Sequence, residues 1–273
     1  MVVFPNAKIN IGLQILNKRT DGYHNIASVF HPIGWSDILE VVPSEELIFT
    51  TSGRAIPGDS DQNLILKAFR ALQKAFPERI SNVHFHLHKI IPMGAGLGGG
   101  SSDAAFALKA LNDLFQLELT REELEDLARP LGSDCAFFIH NQPAFCYHKG
   151  DEFEDISVFS QKLYLWVIYP NVHISTAEAY RNVTPNANQP DLREIWKSPL
   201  RTWKTELRND FEIGLTASYP VIAQVKEQLY QLGALYASMT GSGSTVYGLF
   251  ENPISDEQKN IFQGFACWDG PLT

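Results

Sequence analysis

A run of glycines between two regular elements constrains this chain more than any other feature. Five of the seven residues 94–100, called the glycine loop below, are glycine. Glycine loses more conformational freedom on folding than any other residue, so such a run needs a compensating function. Residues 83–91 before the loop alternate like a strand, and Ala105, Leu108, Leu111 and Phe115 after it repeat at helical spacing. The pattern therefore predicts a strand, a loop and a helix in direct succession.

Backbone N–H groups at the start of the predicted helix indicate what the loop does. Glycines let the backbone approach a ligand closely. The N–H groups of Ser101, Ser102 and Asp103 are expected to point outward with the positive end of the helix dipole. This arrangement suits a phosphate group. A flexible linker is the alternative, but linkers are seldom held between a strand and a helix with hydroxyl residues at the helix start.

Three common phosphate-binding patterns do not account for the loop. Gly94, Gly96 and Gly99 satisfy the dinucleotide fingerprint, but that fold returns to a parallel strand with an acidic residue about 20 residues later. Here Glu118 lies between two predicted helices instead. The sequence has no G-x-x-x-x-G-K-[ST] motif and none of the H-R-D and D-F-G triplets of protein kinases.

Charge, hydropathy and cysteine content exclude other classes. The chain has 22 basic and 31 acidic residues, a net charge of -9, whereas a protein that binds nucleic acid normally carries the opposite sign. Its longest apolar run, Leu163–Tyr169, is much shorter than the ~20 residues that span a bilayer. Residues 1–17 show no secretory signal pattern, so a cytoplasmic location is expected. The cysteines are odd in number, widely spaced and predicted to be core thiols: Cys135, Cys146 and Cys267.

Length and periodicity predict two α+β domains. A domain commonly has about 150 residues, so 273 residues suggest two modest lobes. Apolar residues alternate over 9–15, which predicts a half-buried strand with Lys8 and Asn10 together on its polar face. Acidic residues cluster over 150–159, and we place the boundary between domains 1–154 and 155–273 there.

Local signals predict where further elements begin. Asp61 is the expected N-cap of a helix that ends at Pro77, and Thr120 with Glu123 forms a capping box for another helix. Gly132-Ser-Asp134 is expected to be a turn before a buried segment. In the second domain we expect a helix over 221–232, strands over 163–169, 235–239 and 246–250, and a last helix over 256–262.

Three histidines on one predicted strand invite a zinc interpretation. His84, His86 and His88 alternate along one face. Side chains two residues apart on a strand lie ~7 Å from each other, so the three cannot all reach one ion. We expect a surface row and no metal ligands there.

The motifs together resemble those of the GHMP small-molecule kinases. Pro92-Met-Gly-Ala-Gly-Leu-Gly-Gly-Gly-Ser-Ser-Asp-Ala-Ala105 is similar to the phosphate loop of that family, P-x-x-x-G-L-x-S-S-A-A. Pro5-Asn-Ala-Lys-Ile-Asn10 resembles the first family motif, and Met239-Thr-Gly-Ser-Gly-Ser244 resembles the third. Asp21-Gly-Tyr-His24 is similar to the D-G-Y-H of the isoprenoid-pathway branch. The resemblance implies a two-lobe fold, with an N-terminal lobe of mixed β-sheet and helices and a C-terminal ferredoxin-like α/β sandwich.

The resemblance also implies ATP-dependent transfer of a phosphoryl group to an alcohol. Asp134 would accept the hydroxyl proton as general base, and Lys8 would keep that carboxylate ionised and stabilise the developing charge. Taken alone, Asp134 is more often a turn residue and Lys8 a solvated charge, but together with the glycine loop they favour catalysis. The family commonly has Val-Pro where this chain has Cys135-Ala136, and Ser-Pro-Ala-Lys where it has Pro-Asn-Ala-Lys. Neither departure removes a reactive group.

The other implied site residues fall into a substrate group and a nucleotide group. The substrate would be a small molecule carrying a cytidine diphosphate group, with aromatic rings stacked on the base. Its expected contacts are Asn10, Tyr23, His24, Thr176, Tyr180 and Gly241, and for Tyr180 ordinary helix packing is an equal alternative. The expected ATP contacts are Asn63, Lys89, Pro92, Met93, Gly94, Ala95, Gly96, Leu97, Gly98, Gly99, Gly100, Ser101 and Ser102. Mg²⁺ is expected to enter with the nucleotide, held largely by phosphates and water.

Two alternatives stay open from the sequence. Another GHMP kinase, such as a homoserine or mevalonate kinase, would share the glycine loops but not a base-bearing substrate. A non-catalytic nucleotide or sugar sensor on the same fold would not need Lys8 and Asp134. Nucleic acid and membranes are not expected as partners, and a monomer or weak homodimer is expected.

Overall fold

A computed structural model of the chain describes residues 1–157 and 161–272. The strands are β1 (Val2–Val3), β2 (Asn6–Lys18), β3 (His24–Ser36), β4 (Ile38–Pro43), β5 (Ile48–Gly53), β6 (Val83–Lys89), β7 (Ala144–Tyr147), β8 (Glu152–Asp155), β9 (Leu163–Tyr169), β10 (Tyr236–Met239), β11 (Val246–Phe250) and β12 (Ala266–Leu272). The α-helices are α1 (Leu64–Ala75), α2 (Gly99–Leu114), α3 (Arg121–Ala128), α4 (Cys135–His140), α5 (Thr176–Arg181), α6 (Leu192–Lys197), α7 (Trp203–Glu206), α8 (Phe211–Ser218), α9 (Pro220–Gln231) and α10 (Asp256–Lys259). Short 3-10 helices cover Ser60–Gln62, Leu200–Thr202 and Asn260–Phe262. Within the described ranges, none of the helices has the length and hydropathy to cross a membrane.

The strands form three four-stranded sheets. In the sheet β1-β4-β6-β5, β4 pairs antiparallel with β1 and β6, and β5 runs parallel to β6. In the sheet β2-β3-β7-β8, β7 is antiparallel to both β3 and β8. The sheet β10-β11-β9-β12 is antiparallel throughout. This mixture of sheets and helices confirms the predicted α+β class.

The chain divides into two compact units, each built from several segments. Unit 1 contains Met1–Ala7, Gly34–Met93 and Gly98–Gln142, and unit 2 contains Lys8–Ile33, Gly94–Leu97 and Pro143–Thr273. The first half of the glycine loop therefore belongs to unit 2 and the second half to unit 1. The predicted boundary after residue 154 stays a prediction, because it divides the chain along its length whereas these units are compact in space.

Helix α1 supplies part of the core of unit 1. It packs against α2, and its Phe69 ring meets Phe85 of β6 edge-on, with ring centroids 6.1 Å apart. The predicted cap Asp61 is wrong, because it lies inside the 3-10 helix Ser60–Gln62. A cap needs an extended backbone. Asn63 has one, with φ -61° and ψ 136°, and its side chain accepts the N–H of Ile65 at 2.9 Å.

Other local predictions for unit 1 are confirmed. Thr120 Oγ1 accepts the N–H of Glu123 at 3.3 Å, and the carboxylate of Glu123 accepts the N–H of Thr120 at 2.8 Å, which is the capping box of α3. The segment after Gly132-Ser-Asp134 is buried as expected and forms the short helix α4.

Strand β2 is more deeply buried than its alternation suggests. Lys8 is 3% exposed and Asn10 is 1% exposed, so the predicted half-buried strand is wrong and both faces are covered. The covering partners within unit 2 come from distant parts of the sequence. Tyr247 of β11 donates to the carbonyl of Asn10 at 2.9 Å, and Thr240 accepts the N–H of Asn10 at 2.9 Å.

The C-terminal part of unit 2 contains one strand that sequence periodicity does not show. Helix α9 and strands β10 and β11 form where they are expected, and α9 packs against both strands. Strand β12 follows at the edge of the same sheet. Its Gly270 and Pro271 break the strand pattern, and proline is tolerated on an edge strand. Cys267 lies on this edge and is exposed, so the prediction of a core thiol is wrong for Cys267 and right for Cys135 and Cys146.

The acidic stretch over residues 150–159 is partly a strand. Within it, Glu152–Asp155 forms β8, which pairs with β7 at the edge of its sheet. Residues 158–160, which include the end of the predicted acidic stretch, lie outside the described residues.

Candidate functional site

The glycine loop adopts a backbone that only glycine accommodates well. Gly94, Gly96 and Gly98 have φ values of 60°, 80° and 71°, in the left-handed region. A Cβ atom on Gly96 would lie 2.1 Å from the carbonyl oxygen of Thr240, and one on Gly94 would lie 2.2 Å from the ring of His173. The loop therefore depends on glycine both for its backbone conformation and for close packing within unit 2.

Helix α2 begins earlier than the sequence suggests. Its first residue is Gly99, with Gly98 as N-cap, and the N–H of Ser102 donates to the carbonyl of Gly98 at 2.9 Å. The expectation that the N–H groups of Ser102 and Asp103 point outward is therefore wrong, because two glycines extend the helix by half a turn. The helix geometry leaves the N–H groups of residues 98–101 outside its own hydrogen bonding, and these groups are available to an anion.

Lys89 lies in a buried cluster with two carboxylates. Its Nζ is 2.5 Å from Asp37 Oδ2 and 2.6 Å from Asp103 Oδ2, and its side chain is fully buried. Asp37 Oδ1 also accepts the N–H groups of Ile90 at 2.6 Å and Ile91 at 2.8 Å. This Lys89 cluster (Asp37, Lys89 and Asp103) therefore joins the end of β6 to the first turns of α2. It encloses a lysine that the family resemblance assigns to the nucleotide.

Asp103 has an unusual electrostatic environment. Burial is the largest cause of a raised pKa for Asp103; the charge of Lys89 opposes it, the charge of Asp37 adds to it, and the pKa is about 7. Within the described part of the chain, its second oxygen, Oδ1, has no hydrogen-bond partner. Asp103 occurs in the phosphate-loop motif, but nothing in the sequence pairs it with Asp37.

A cavity of about 290 Å³ opens beside this cluster in unit 1. Its polar lining includes Asn63 and Asp103, and its apolar lining includes Phe49, Ile56 and Met93. Apolar walls with a few polar groups are typical of a site for a small organic molecule. The structure thus brings Asn63 and Met93 of the predicted nucleotide group together, with Gly100 also in the lining.

The turn before α4 lies next to the start of α2. A Cβ atom on Gly132 would lie 3.2 Å from Cys135 Sγ and 3.5 Å from Ser101 Oγ. Asp134 is the half-buried residue that precedes α4. Burial raises the pKa of the Cys135 thiol to about 12, so this cysteine stays protonated and is a poor nucleophile. Within unit 1, the turn that carries Asp134 and the helix start that carries Ser101 are therefore neighbours.

Lys8 and Asn10 form the polar centre of strand β2. Lys8 Nζ donates to Asn10 Oδ1 at 2.5 Å and lies 4.6 Å above the centre of the Phe30 ring. Asn10 Nδ2 donates to Ser28 Oγ at 2.9 Å, and Ser28 Oγ donates to the carbonyl of Gly12 at 2.6 Å. Asn10 is thus held by Ser28 through Nδ2 and contacts Lys8 through Oδ1, so it orients Lys8, a role that sequence reasoning did not include.

The structure brings together some of the predicted substrate residues. The rings of His24 and Tyr180 are stacked, with centroids 4.6 Å apart and 17° between planes, and Phe211 meets Tyr180 edge-on at 4.9 Å. Burial, followed by the charge of Lys18, lowers the pKa of His24, which favours the neutral ring. Tyr23 is 58% exposed, with Lys149 Nζ 5.3 Å above its ring.

Two predicted substrate residues lie beside the third glycine motif. Thr176 Oγ1 is 3.4 Å from Ser242 Oγ. Gly241 has a φ of 55°, and a Cβ atom there would lie 2.8 Å from the carbonyl oxygen of Gly96. Because Thr176, Gly241 and Gly96 all belong to unit 2, the third motif and the first half of the glycine loop pack directly on each other.

The histidine row is held by hydroxyl groups of the neighbouring strand. Thr50 Oγ1 is 2.9 Å from His84 Nε2 and 2.9 Å from His86 Nδ1. Ser52 Oγ is 2.9 Å from His86 Nε2 and 2.9 Å from His88 Nδ1. Among the residues that the structure describes, no group of three or more histidine, cysteine or acidic side chains could hold a metal ion. The row is a polar ladder between β5 and β6.

Comparison with known proteins identifies close relatives. The N-terminal domain of GHMP kinases matches residues 63–149, and their C-terminal domain matches residues 191–261. The chain is 52% identical over 268 residues to a 4-diphosphocytidyl-2-C-methyl-D-erythritol kinase of Cytophaga hutchinsonii, covering 98% of each chain. It is 45% identical over 273 residues to the kinase of the same name from Parabacteroides distasonis, covering 100% of each. A crystal structure titled 4-(cytidine 5'-diphospho)-2C-methyl-D-erythritol kinase superposes with a TM-score of 0.85 at 30% identity, covering 100% of this chain and 99% of the other.

Proposed function

Because the chain belongs to the GHMP kinases, in their 4-diphosphocytidyl-2-C-methyl-D-erythritol kinase branch, we propose that it phosphorylates the 2-hydroxyl of 4-diphosphocytidyl-2-C-methyl-D-erythritol with ATP. The product would serve non-mevalonate isoprenoid precursor biosynthesis. The observation that carries the proposal is 52% identity over 98% of the chain to a relative with that name. A non-catalytic sensor is disfavoured, since the chain keeps both Lys8 and Asp134.

The nucleotide would bind at the glycine loop and in the adjacent cavity of unit 1. The N–H groups of residues 98–101 suit the phosphates, and the cavity lined by Asn63, Met93 and Asp103 suits a flat base. Lys89 would not contact the nucleotide directly, because its charge is enclosed by Asp37 and Asp103. It would position the end of β6 and the start of α2.

Mg²⁺ would arrive with ATP and neutralise charge on the transferring phosphoryl group. Mg²⁺ prefers oxygen ligands and commonly keeps several waters, so one or two protein oxygens are sufficient. The hydroxyl of Ser102, buried and without a hydrogen-bond partner in the part of the chain described, is an oxygen of this kind at the loop. The donor set therefore fits a metal that is bound mainly through the nucleotide.

Proton transfer is the step that this chain's own side chains would perform. Asp134 would accept the proton of the attacking hydroxyl, and its position at a half-buried turn beside Ser101 is compatible with that role. Lys8 would supply positive charge, and its Nζ is oriented by Asn10 Oδ1 at 2.5 Å. His24 and Tyr180 would present ring faces to the cytosine.

A phosphoryl-transfer assay with a panel of alcohols tests the proposal. ADP release would be measured with the cytidine alcohol, homoserine and mevalonate, and ³¹P NMR would locate the new phosphate on the 2-hydroxyl. We expect turnover with the cytidine alcohol only. Faster turnover of homoserine or mevalonate would show that the substrate is wrong, and ATP binding with no turnover of any alcohol would favour a sensor.

A further inference from the structure

Thr240 lies where two functional segments of unit 2 meet. It follows β10 directly, is fully buried, and belongs to the third glycine motif. Its hydroxyl oxygen accepts the N–H of Asn10 at 2.9 Å and lies 3.2 Å from the carbonyl oxygen of Gly96. The same hydroxyl is 3.3 Å from Asn10 Oδ1, the atom that accepts the hydrogen bond from Lys8 Nζ.

The geometry points to a role for Thr240 that the family motif alone does not imply. We propose that Thr240 is a positioning residue, whose hydroxyl couples the first half of the glycine loop to the Lys8 and Asn10 pair. This inference rests on the kinase activity proposed above. Thr240 would fix the position of the first half of the glycine loop relative to the charge of Lys8 within unit 2.

A hydroxyl group has one proton, so Thr240 donates to one of its two acceptors at a time. When it donates to the Gly96 carbonyl, it holds the loop and leaves Asn10 Oδ1 to Lys8. When it donates to Asn10 Oδ1, it shares that oxygen with Lys8, because an amide oxygen can accept two hydrogen bonds, and the Gly96 carbonyl loses the hydroxyl as a donor. A displacement of Gly96 by bound phosphate would therefore change which acceptor the hydroxyl uses, and with it one of the contacts that hold Asn10.

The turn that carries Thr240 is held in place independently of its hydroxyl. Asn209 is 1% exposed, and its Nδ2 donates to the carbonyls of Met239 at 2.9 Å and Gly241 at 2.8 Å, one residue on either side of Thr240. The N–H of Thr240 donates to the carbonyl of Thr245 at 2.9 Å. Removing the Thr240 hydroxyl is therefore expected to leave the turn in place and to act mainly on its two acceptors.

The same segment supplies a matched control. Thr245 is also fully buried, but its Oγ1 has no hydrogen-bond partner among the described residues. Thr240→Val and Thr245→Val make the same chemical change to two neighbouring buried threonines. Only the first change removes a hydroxyl that contacts Asn10 and Gly96.

The test measures nucleotide affinity by calorimetric titration with MgATP, and steady-state kinetics for ATP and the cytidine alcohol. For Thr240→Val we expect nucleotide affinity to fall about tenfold and kcat to fall about 10- to 100-fold, the range for an unpaired buried polar group. The KM for the cytidine alcohol should rise by less than the KM for ATP. Asn10, an expected substrate contact, loses one partner, but the stacked rings of His24 and Tyr180 are left unchanged and Asn209 still holds Gly241. A merely structural defect would lower the active fraction and leave the KM for ATP unchanged.

Substitution with serine tests whether the hydroxyl group of Thr240 accounts for the effect. Thr240→Ser keeps the hydroxyl and should behave within about threefold of the wild type, as should Thr245→Val. If Thr240→Val does not fold, Thr240→Ser and Thr240→Ala give the same comparison, because both lose the methyl group and only the alanine loses the hydroxyl. A folded Thr240→Val protein with unchanged ATP affinity and kcat would overturn the inference. The titration needs no acceptor alcohol, so a wild type that binds ATP without phosphorylating the cytidine alcohol would count against the proposed function alone.

Discussion

Replacing Asp103 with asparagine should change how stability depends on pH. The folded protein binds the Asp103 proton with a pKa of about 7, whereas the ordinary value is 3.8, because the carboxyl is buried beside Asp37. The folded state therefore takes up a proton that the unfolded chain releases. This contribution to stability is fully present below about pH 4 and is lost as the pH rises through about 7. Asp103→Asn keeps the side-chain shape and cannot titrate.

The expected magnitude follows from the two pKa values. Between pH 5 and pH 8, the free energy of unfolding of the wild type should fall by about 2–3 kcal/mol relative to Asp103→Asn. At about 2–4 °C per kcal/mol, the difference in melting temperature should change by roughly 5–10 °C. A destabilisation by the new amide that does not depend on pH lowers the stability of Asp103→Asn equally at pH 5 and pH 8. It therefore does not alter the expected change in the stability difference between these two pH values.

Thermal melting of both proteins from pH 5 to pH 8 measures the effect. Asp113→Asn provides a control on the same helix, because Asp113 is exposed. This control should show little difference from the wild type at any pH. A stability difference for Asp103→Asn that is constant across the pH range would refute the argument. So would a difference in the opposite sense, since it would mean that Lys89 keeps Asp103 ionised in the folded state.

Three further predictions concern activity. In steady-state kinetics, Asp134→Asn should lower kcat by about 10²–10⁴-fold and leave the binding of ATP and substrate within a few fold of the wild type. A kcat within tenfold of the wild type would show that the carboxylate has a structural role only. Gly98→Val places a β-branched residue at a φ of 71°, so calorimetric ATP binding should collapse in a protein that circular dichroism shows to be folded; unchanged binding would move the phosphate site elsewhere. Tyr180→Ala should raise the KM for the cytidine alcohol about 5- to 150-fold and leave the KM for ATP within about threefold, and an equal rise in both would argue against base stacking.

Local chemistry accounts for what could be predicted from the sequence. The α+β class, the capping box of α3 and the strand, loop and helix around residues 94–100 depend on residues close together in the chain. Periodicity and capping are local properties, so one sequence is sufficient to find them. The GHMP kinase motifs likewise occupy contiguous residues, and the family they indicate is the one to which the chain belongs.

Predictions were wrong where a local choice depended on neighbours. Asp61 and Asn63 are both good caps by residue type, and the backbone of the preceding 3-10 turn decides between them. The start of α2 depends on whether two glycines join the helix, which propensity alone does not favour. Strand β12 contains glycine and proline, and only its place at the edge of a sheet makes it a strand.

The amino-acid sequence by itself determined the family and the strand, loop and helix around the glycines, and it supplied the candidates for the reactive groups, because these features reside in short motifs. Tertiary structure alone decided which groups are neighbours. It enclosed Lys89 between Asp37 and Asp103, which are 66 residues apart in the chain. It also placed Thr240 against Asn10 and Gly96, from which it is separated by 230 and 144 residues. Such contacts form because leaving a buried polar atom unpaired costs free energy, and the partner that the folded protein supplies has no fixed distance along the sequence.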